Sequence, residues 1–407
     1  MNLGHGLGHL TYSTLVHPGD TWEQMWASLQ EFVPRVKAKV APHEPFGVCL
    51  RLSARSAATL NENPTLIADL KAYLADQDLY LYTANAFPYG SFKGQVVKEQ
   101  VYEPDWRSAE RTFYTKQVAN VLAAVAADGI QPSIQTPPLG FKPNVTGPDV
   151  VASFTAHVLE VTAHLVKLHH ETGKIVTLAI EPEPYCFLET TDEVIKYFTT
   201  QLYTGPAART LHKLTGLPVN EAIAALRQHV GIVYDICHQA VEYEDIPDSL
   251  QRLVDANIPI MKFQQATAIH VPTVTQAAVD ALKKYSDTIY LTQTIEKQDG
   301  RLTRYLNLED AFAAWARDPS AAKEWRVHIH VPVFLDDLGP FRTTRFALED
   351  ALRFFQKTPL SRHLEIETYT WDVLPESLKT GDIVDYVSRE IEWVKGQLVP
   401  TPQLAPR

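Results

Sequence analysis

Apolar and polar positions along the chain fall into two alternating textures. Short runs rich in β-branched and aromatic residues come first, and longer stretches with apolar residues at helical spacing follow. Residues 9–14 (HLTYST) precede a helical pattern over 21–40, and 46–52 (FGVCLRL) precede one over 53–75. Residues 79–85 (LYLYTAN) precede a long loop and a helix at 107–127, and 132–136 precede 149–171. Residues 175–181 (IVTLAIE) lead into helical material between 191 and 229, and 231–235 (GIVYD) into 248–256. Residues 259–264 (PIMKFQ) precede 274–285, and 364–368 (LEIET) precede a last helix at 382–397. Strand-then-helix repeated about eight times implies parallel strands joined by right-handed crossovers. Eight such units in one domain predict a (β/α)8 TIM barrel, with a doubly wound open sheet as the alternative.

Such barrels take about 250 residues, and this chain has 407. The surplus has two visible places, 200–218 and 289–335. The second reads as a hairpin with Asp299-Gly300 at its turn, a helix, and one more strand over 326–334. Nine strand candidates result, so either 326–334 or 259–264 lies outside the barrel. The domain reading is one barrel over 1–398 with a flexible Pro-rich tail at 399–407.

Composition narrows the function. The hydrophobic fraction of 45% is enough for a large core. Lys plus Arg is 37 against 48 for Asp plus Glu, a net charge of −11, which argues against a nucleic-acid partner. No apolar run approaches the ~20 residues that span a bilayer, and the first ten residues lack a secretory pattern. Cys49, Cys186 and Cys237 form no CxxC pair and give neither a disulfide framework nor a zinc ribbon. These features predict a soluble, cytoplasmic protein. No glycine-rich phosphate loop follows a strand, and no organic cofactor is expected.

In a barrel, chemistry sits at the C-terminal strand ends. Strand five ends in Glu181, followed by Pro182-Glu183-Pro184. Strand six ends in Asp235, with His238 three residues on. Glu365 and Glu367 share one face of the last strand, and Glu367 is favoured. Acids crowded at one mouth repel, and one divalent metal ion (Mn, Zn, Mg, Co or Fe) would resolve the repulsion. A metal held this way binds two adjacent oxygens of a sugar or polyol and polarises the carbonyl. A carboxylate such as Glu181 or Glu367 then moves a proton. That chemistry is aldose–ketose isomerisation or epimerisation. Arg51, Asn85 and Lys262 stand at or near the ends of strands two, three and seven as substrate-binding candidates, and Gln264 ends strand seven. His328 and His330 share a face of 326–334 as metal- or substrate-binding candidates. The loop 85–106 offers Phe87, Tyr89, Phe92, Tyr102 and Trp106 to cover the mouth, and aromatic faces suit sugar rings.

Six segments carry a family resemblance: HLTYSTLVHPGDTW (9–22), NAFPYGSFKGQVVKEQVYEPDW (85–106), AIEPEP (179–184), YDICH (234–238), HIHVPVFLDDLG (328–339) and LEIETYTWDVLP (364–375). Together they resemble the EboE family, the "metabolite traffic" protein of the bacterial Ebo cluster, from residue 9 to about 398. The resemblance implies the xylose-isomerase-like TIM-barrel superfamily, which includes sugar epimerases and endonuclease-IV-like enzymes. It implies a metal held by Glu181, Asp235, a strand-seven residue and Glu367, with His238 touching substrate. If 259–264 is strand seven, Gln264 stands where the superfamily has His, and His330 or His328 would complete the set. It further implies a small-molecule substrate of sugar or cyclitol type, other Ebo-cluster proteins as partners, a homo-oligomer, and a step in making or exporting a secondary metabolite. Two competing readings are a non-catalytic metabolite carrier on an isomerase barrel and a metal-dependent phosphoesterase.

Overall fold

Parallel strands run in the chain order that the alternation predicts: β1 (His9–Tyr12), β2 (Phe46–Arg51), β3 (Leu79–Asn85), β4 (Ser133–Thr136), β5 (Thr177–Ile180), β6 (Val230–Asp235) and β7 (Ile260–Gln265). The computed structural model describes residues 1–92, 96–286, 289–319, 322–373, 379 and 381–399. The tail beyond 399 and part of the mouth loop, 93–95, lie outside the described residues. After β7 the chain passes through Ala266 alone into an inserted sheet of β8 (Thr267–Val271), β9 (Thr294–Gln298), β10 (Arg301–Tyr305), β11 (Glu324–Val331) and β12 (Arg342–Thr343). It returns through the Arg345–Lys357 helix to β13 (His363–Ile366), which lies between β7 and β1. A parallel bridge from Ser13 to Cys49 joins β1 to β2 and brings the eight-stranded ring to closure. This is a (β/α)8 barrel. Its seventh strand is the one at 259–264, and the strand at 326–334 belongs to the insertion.

Local chemistry sets the helix ends. Thr21 and Gln24 form a capping box ahead of the Trp22–Val40 helix. The helical pattern over 53–75 is split into Ala54–Glu62 and Pro64–Asp76, because Pro64 has no N–H to continue the ladder. The surplus near 200–218 is a helical excursion, Gly205–Thr215, stopped by Gly216 at φ 79. In the hairpin, Asp299 and Gly300 both take positive φ, 49 and 77, as a two-residue turn matched to strand twist requires.

The five-stranded sheet is ordered β10-β9-β11-β8-β12, with antiparallel pairing throughout. It sits in the connection that leaves β7, on the C-terminal side of the barrel. Its docking is polar and specific. Arg304 donates to Glu189 at 3.1 Å and also to Glu242. Arg326 donates to the Ala240 carbonyl at 2.7 Å and lies 3.9 Å from the Tyr243 ring centroid.

Barrel strands β2 and β6 are buried along their whole length, as expected of parallel strands covered on both faces. The lumen is not apolar. Lys262 donates to Glu365 and, at 2.7 Å, to Gln135 Oε1. Below them Ser133 joins Thr83 and His363, each at 2.8 Å. No helix among the described residues is long and apolar enough to cross a membrane.

Gly231 marks the tightest approach of β6 to the chain entering β7. A Cβ there would lie 2.3 Å from the Pro259 carbonyl oxygen. Gly231→Ala therefore forces the two strands apart and destabilises the barrel by about 1–3 kcal/mol, read as a lower urea midpoint. An unchanged midpoint contradicts this packing.

Candidate functional site

Strand register explains why the acids meet. Asp235 pairs with Gln264, and Gln264 with Glu365, so these three stand at one level. Glu367 follows two residues beyond Glu365, and Glu181 two beyond Ala179, which pairs with Gln135. Side chains two apart on a strand share a face. Glu181 and Glu367 consequently rise on the lumen face toward the mouth, where Asp235 also ends its strand.

Ligand-type atoms of Glu181, Asp235 and Glu367 all lie within 4.8 Å of one another, and all three residues are buried. Gln135 donates to Glu181 Oε2 at 2.6 Å. Asn85 donates to Glu367 Oε1 at 3.0 Å, while its own Oδ1 accepts from the Phe87 amide at 3.1 Å and fixes the side chain's orientation. Asp235 Oδ1 caps the Ile236–Val241 helix by accepting from Cys237 N at 2.6 Å and His238 N at 3.3 Å. Its other oxygen, Oδ2, is buried without a hydrogen-bond partner, as are both amide atoms of Gln264.

Burial dominates the electrostatics. Glu181 is pushed well above the usual carboxyl range by burial, then by the charges of Glu367, Asp235 and Glu183. Glu367 is raised well above it by burial and by Glu365 and Asp235. Asp235 is raised to about 6, chiefly by burial. Each acid is reluctant to ionise unless a positive charge joins it.

Imidazoles stand beside the acids. His238 stands in the first turn of the helix that follows β6, and His328 and His330 come from β11, whose register against β8 shifts between Val327 and Val331. Such an irregularity re-aims side chains. His238 Nε2 is 3.7 Å from Asp235 Oδ2, and His330 Nε2 is 4.0 Å from it. Burial lowers His238 to about 4, which favours the neutral imidazole.

A narrow cleft opens above this floor. Glu181, Glu183, Gln135, Asn85, His238, His328 and Glu367 face it, and Phe87, Phe92, Tyr102, Tyr290 and Tyr369 wall it. Phe92 packs on Tyr290 and Tyr369, with ring centroids 4.8 and 5.4 Å apart. The mouth loop is tied to the insertion, since the amides of Val97 and Lys98 donate to the Ile289 carbonyl at 2.9 and 3.0 Å.

The other predicted residues are placed differently. Arg51 gives its guanidinium to the carbonyls of Gly19, at 2.8 Å, and Gly90, and holds loops rather than lining the cleft. Lys262 lies beneath Gln135, engaged with Glu365. Tyr89 packs edge-on to Tyr114, and Trp106 donates to Thr136 at 3.0 Å, so neither faces the cleft. The thiols of Cys49, Cys186 and Cys237 are all pushed up by burial, away from nucleophilic thiolate. Strand-end reading passed over Gln135, although it stands next to the end of β4 as the other candidates stand on theirs. Gln293 and Tyr369 carry no comparable mark, since they arrive from the insertion and from the loop after β13.

No protein-family model and no curated protein matches the sequence. Among solved structures, the chain is similar to an IolI protein with a bound zinc atom, at 13% identity and a TM-score of 0.48 over 96% of this chain and 98% of that one. It is similar to a xylose isomerase-like TIM barrel protein from Mycobacterium smegmatis in complex with magnesium, at 9% identity and 0.49 over 96% and 97%. It is also similar to a D-tagatose 3-epimerase-like protein, at 11% identity and 0.45 over 96% and 98%. Likeness at this level concerns the course of the chain and not its chemistry.

One buried acid holds the insertion against the site. Glu390 accepts from Val333 N at 3.2 Å, just past β11, and from Thr368 Oγ1 at 2.7 Å, next to Glu367. Burial raises its carboxyl to about 8. A folded-state value above the unfolded one means that the folded state holds the proton more tightly. This contribution is fully present below the unfolded pKa and is lost as pH rises through about 8. Glu390→Gln keeps the acceptor and carries no charge, so the variant should gain stability over wild type at pH 9 and not at pH 4. Parallel pH profiles of the two proteins in urea melts would contradict this.

Proposed function

We propose that the chain is a divalent-metal-dependent isomerase or epimerase acting on a sugar, a cyclitol or a phosphate of one. Its place, on the resemblance to EboE, is in making or exporting a secondary metabolite. One observation carries the reading: acids from three strand ends converge in a buried site, and one Asp235 oxygen there has no partner. The residues fit a divalent cation, because oxygen ligands with imidazole beside them suit such ions. Held by Glu181, Asp235 and Glu367, with His330 or Gln264 as a further ligand, the cation would polarise a substrate carbonyl and the hydroxyl beside it.

The chain's own groups do the rest. Glu181 and Glu367 move the proton, since burial raises both carboxyls well above the usual carboxylate range and a carboxylate so raised is a stronger base. Gln135 and Asn85 hold those carboxyls in place through the hydrogen bonds at 2.6 and 3.0 Å. His238 fixes its Nδ1 on the Pro182 carbonyl at 2.8 Å and turns Nε2 inward, toward a substrate oxygen. The Phe92, Tyr290 and Tyr369 rings offer apolar faces to a sugar ring and exclude water from the proton being moved.

Protein purified without chelator should carry Mn, Zn or Fe, and a Glu181→Ala, Asp235→Ala double variant should carry much less. On a panel of sugar and cyclitol phosphates, Glu181→Gln and Glu367→Gln should each lower turnover by at least ~10²-fold. A wild-type protein that takes up neither Mn nor Zn, yet binds such compounds without turning them over, would replace this reading with that of a carrier.

A further inference from the structure

The histidine cluster contains a contradiction that the carboxylate site does not resolve. His238 Nδ1 faces the Pro182 carbonyl at 2.8 Å, and His330 Nδ1 faces the Glu367 carbonyl. A carbonyl only accepts, so both Nδ1 atoms carry the hydrogen. His328 Nδ1 faces Gln293 Oε1 at 3.0 Å. The Gln293 amide cannot be turned round, because its Nε2 points at Glu183 Oε1 at 3.3 Å and the Pro184 carbonyl at 3.4 Å, both acceptors. His328 therefore also carries its hydrogen on Nδ1. The three Nε2 atoms are left as bare lone pairs, and they face each other: His238 to His328 at 3.1 Å, and His328 to His330 at 3.3 Å.

Two lone pairs at such distances repel. One added proton can bridge one of the two contacts but not both. A metal ion meets all of them at once. Ligands about 2.0–2.1 Å from a tetrahedral zinc stand about 3.3 Å apart, close to the separations found here. A second observation points to the same place. Asp235 Oδ2 is fully buried, lacks a hydrogen-bond partner, and lies 3.7 Å from His238 Nε2 and 4.0 Å from His330 Nε2. Glu183 also stands beside His238 and His328, and its Oε2 is buried without a hydrogen-bond partner.

We infer that His238, His328 and His330, with Asp235 Oδ2 as a shared carboxylate, form a second cation site beside the Glu181–Asp235–Glu367 set, one that prefers zinc-type ions. Imidazole ligands suit Zn, Fe and Ni, whereas carboxylates suit Mg and Mn, so the two neighbouring sites differ in the ion they select. His330 and His238 then belong to the imidazole set, which moves His238 Nε2 from a substrate oxygen to the ion, and Gln264, with both amide atoms unpartnered, is left to the carboxylate set. Two cations sharing one carboxylate can clamp two substrate oxygens at once. The inference adds to the reading proposed above but does not require it, since the lone-pair geometry stands without the carboxylate site.

The test is zinc stoichiometry. Chelator-treated protein is titrated with Zn²⁺ against a chromophoric competitor, for wild type, His328→Ala, His330→Gln and Glu367→Gln. The expected result is about two equivalents in wild type and about one in each variant. The wild-type number stands whether or not any variant folds. One equivalent in wild type that survives His328→Ala and His330→Gln but is lost in Glu367→Gln would overturn the second site and leave the proposed function standing. One equivalent lost in both histidine variants but kept in Glu367→Gln would support the imidazole site and show that the carboxylate one does not take zinc. No zinc uptake at all would overturn the imidazole site, while the carboxylate one stands or falls on Mn²⁺ uptake measured in the same way.

Discussion

Negative charge buried with too little positive charge beside it is the constraint on which the site depends. The upper lumen holds Glu181, Asp235, Glu365 and Glu367, all buried. Lys262 answers Glu365 and, through Gln135, reaches toward Glu181. The remaining acids accept only from amide donors, and burial raises all three above the usual carboxylate range. Buried acids without a countercharge are expensive, and on the function proposed above the three at these strand ends, with one oxygen unpartnered, are what a cation would answer. Removing the charge from the buried pair would be disruptive for the same reason, because the surviving partner would be left unmatched in a dry interior.

The insertion stands over the same acids. The chain steps from β7 into β8 through Ala266 alone, so the added sheet grows directly from the barrel's mouth. It brings imidazoles to the mouth beside the place where Gln264 ends the lumen face of β7. The shifted register of β11 turns His328 and His330 inward, and Glu390, Arg304 and Arg326 anchor the sheet on barrel elements. Aromatic residues from the mouth loop, the insertion and the loop after β13 then wall the cleft, so three separate stretches of chain complete one site.

Much of this was legible in the sequence, for identifiable reasons. Alternating textures marked the eight parallel strands because each is buried on both faces, and the Asp299-Gly300 hairpin was marked by turn chemistry. Glu181, Asp235 and Glu367 stood out as acids ending apolar runs. The identity of strand seven was not legible, because 259–264 and 326–334 are equally apolar and only long-range pairing separates them. β8 escaped notice because ATAIHV follows PIMKFQQ without a turn residue. Arg51 and Lys262 looked available for substrate, yet both are consumed by carbonyls and acids that lie far away in sequence. Partners of that kind are tertiary facts, which periodicity does not carry. Gln135 and Gln293 were overlooked because uncharged amides draw no attention until the groups they orient are known.

The most direct test of the account is an anomalous-difference map from a crystal equilibrated with Mn²⁺. A peak within about 2.2 Å of oxygens from Glu181, Asp235 and Glu367 is the predicted result. A map with no peak there, and those carboxyl groups instead hydrogen-bonded to one another through retained protons, would contradict the claim that the barrel's acids are assembled for a cation.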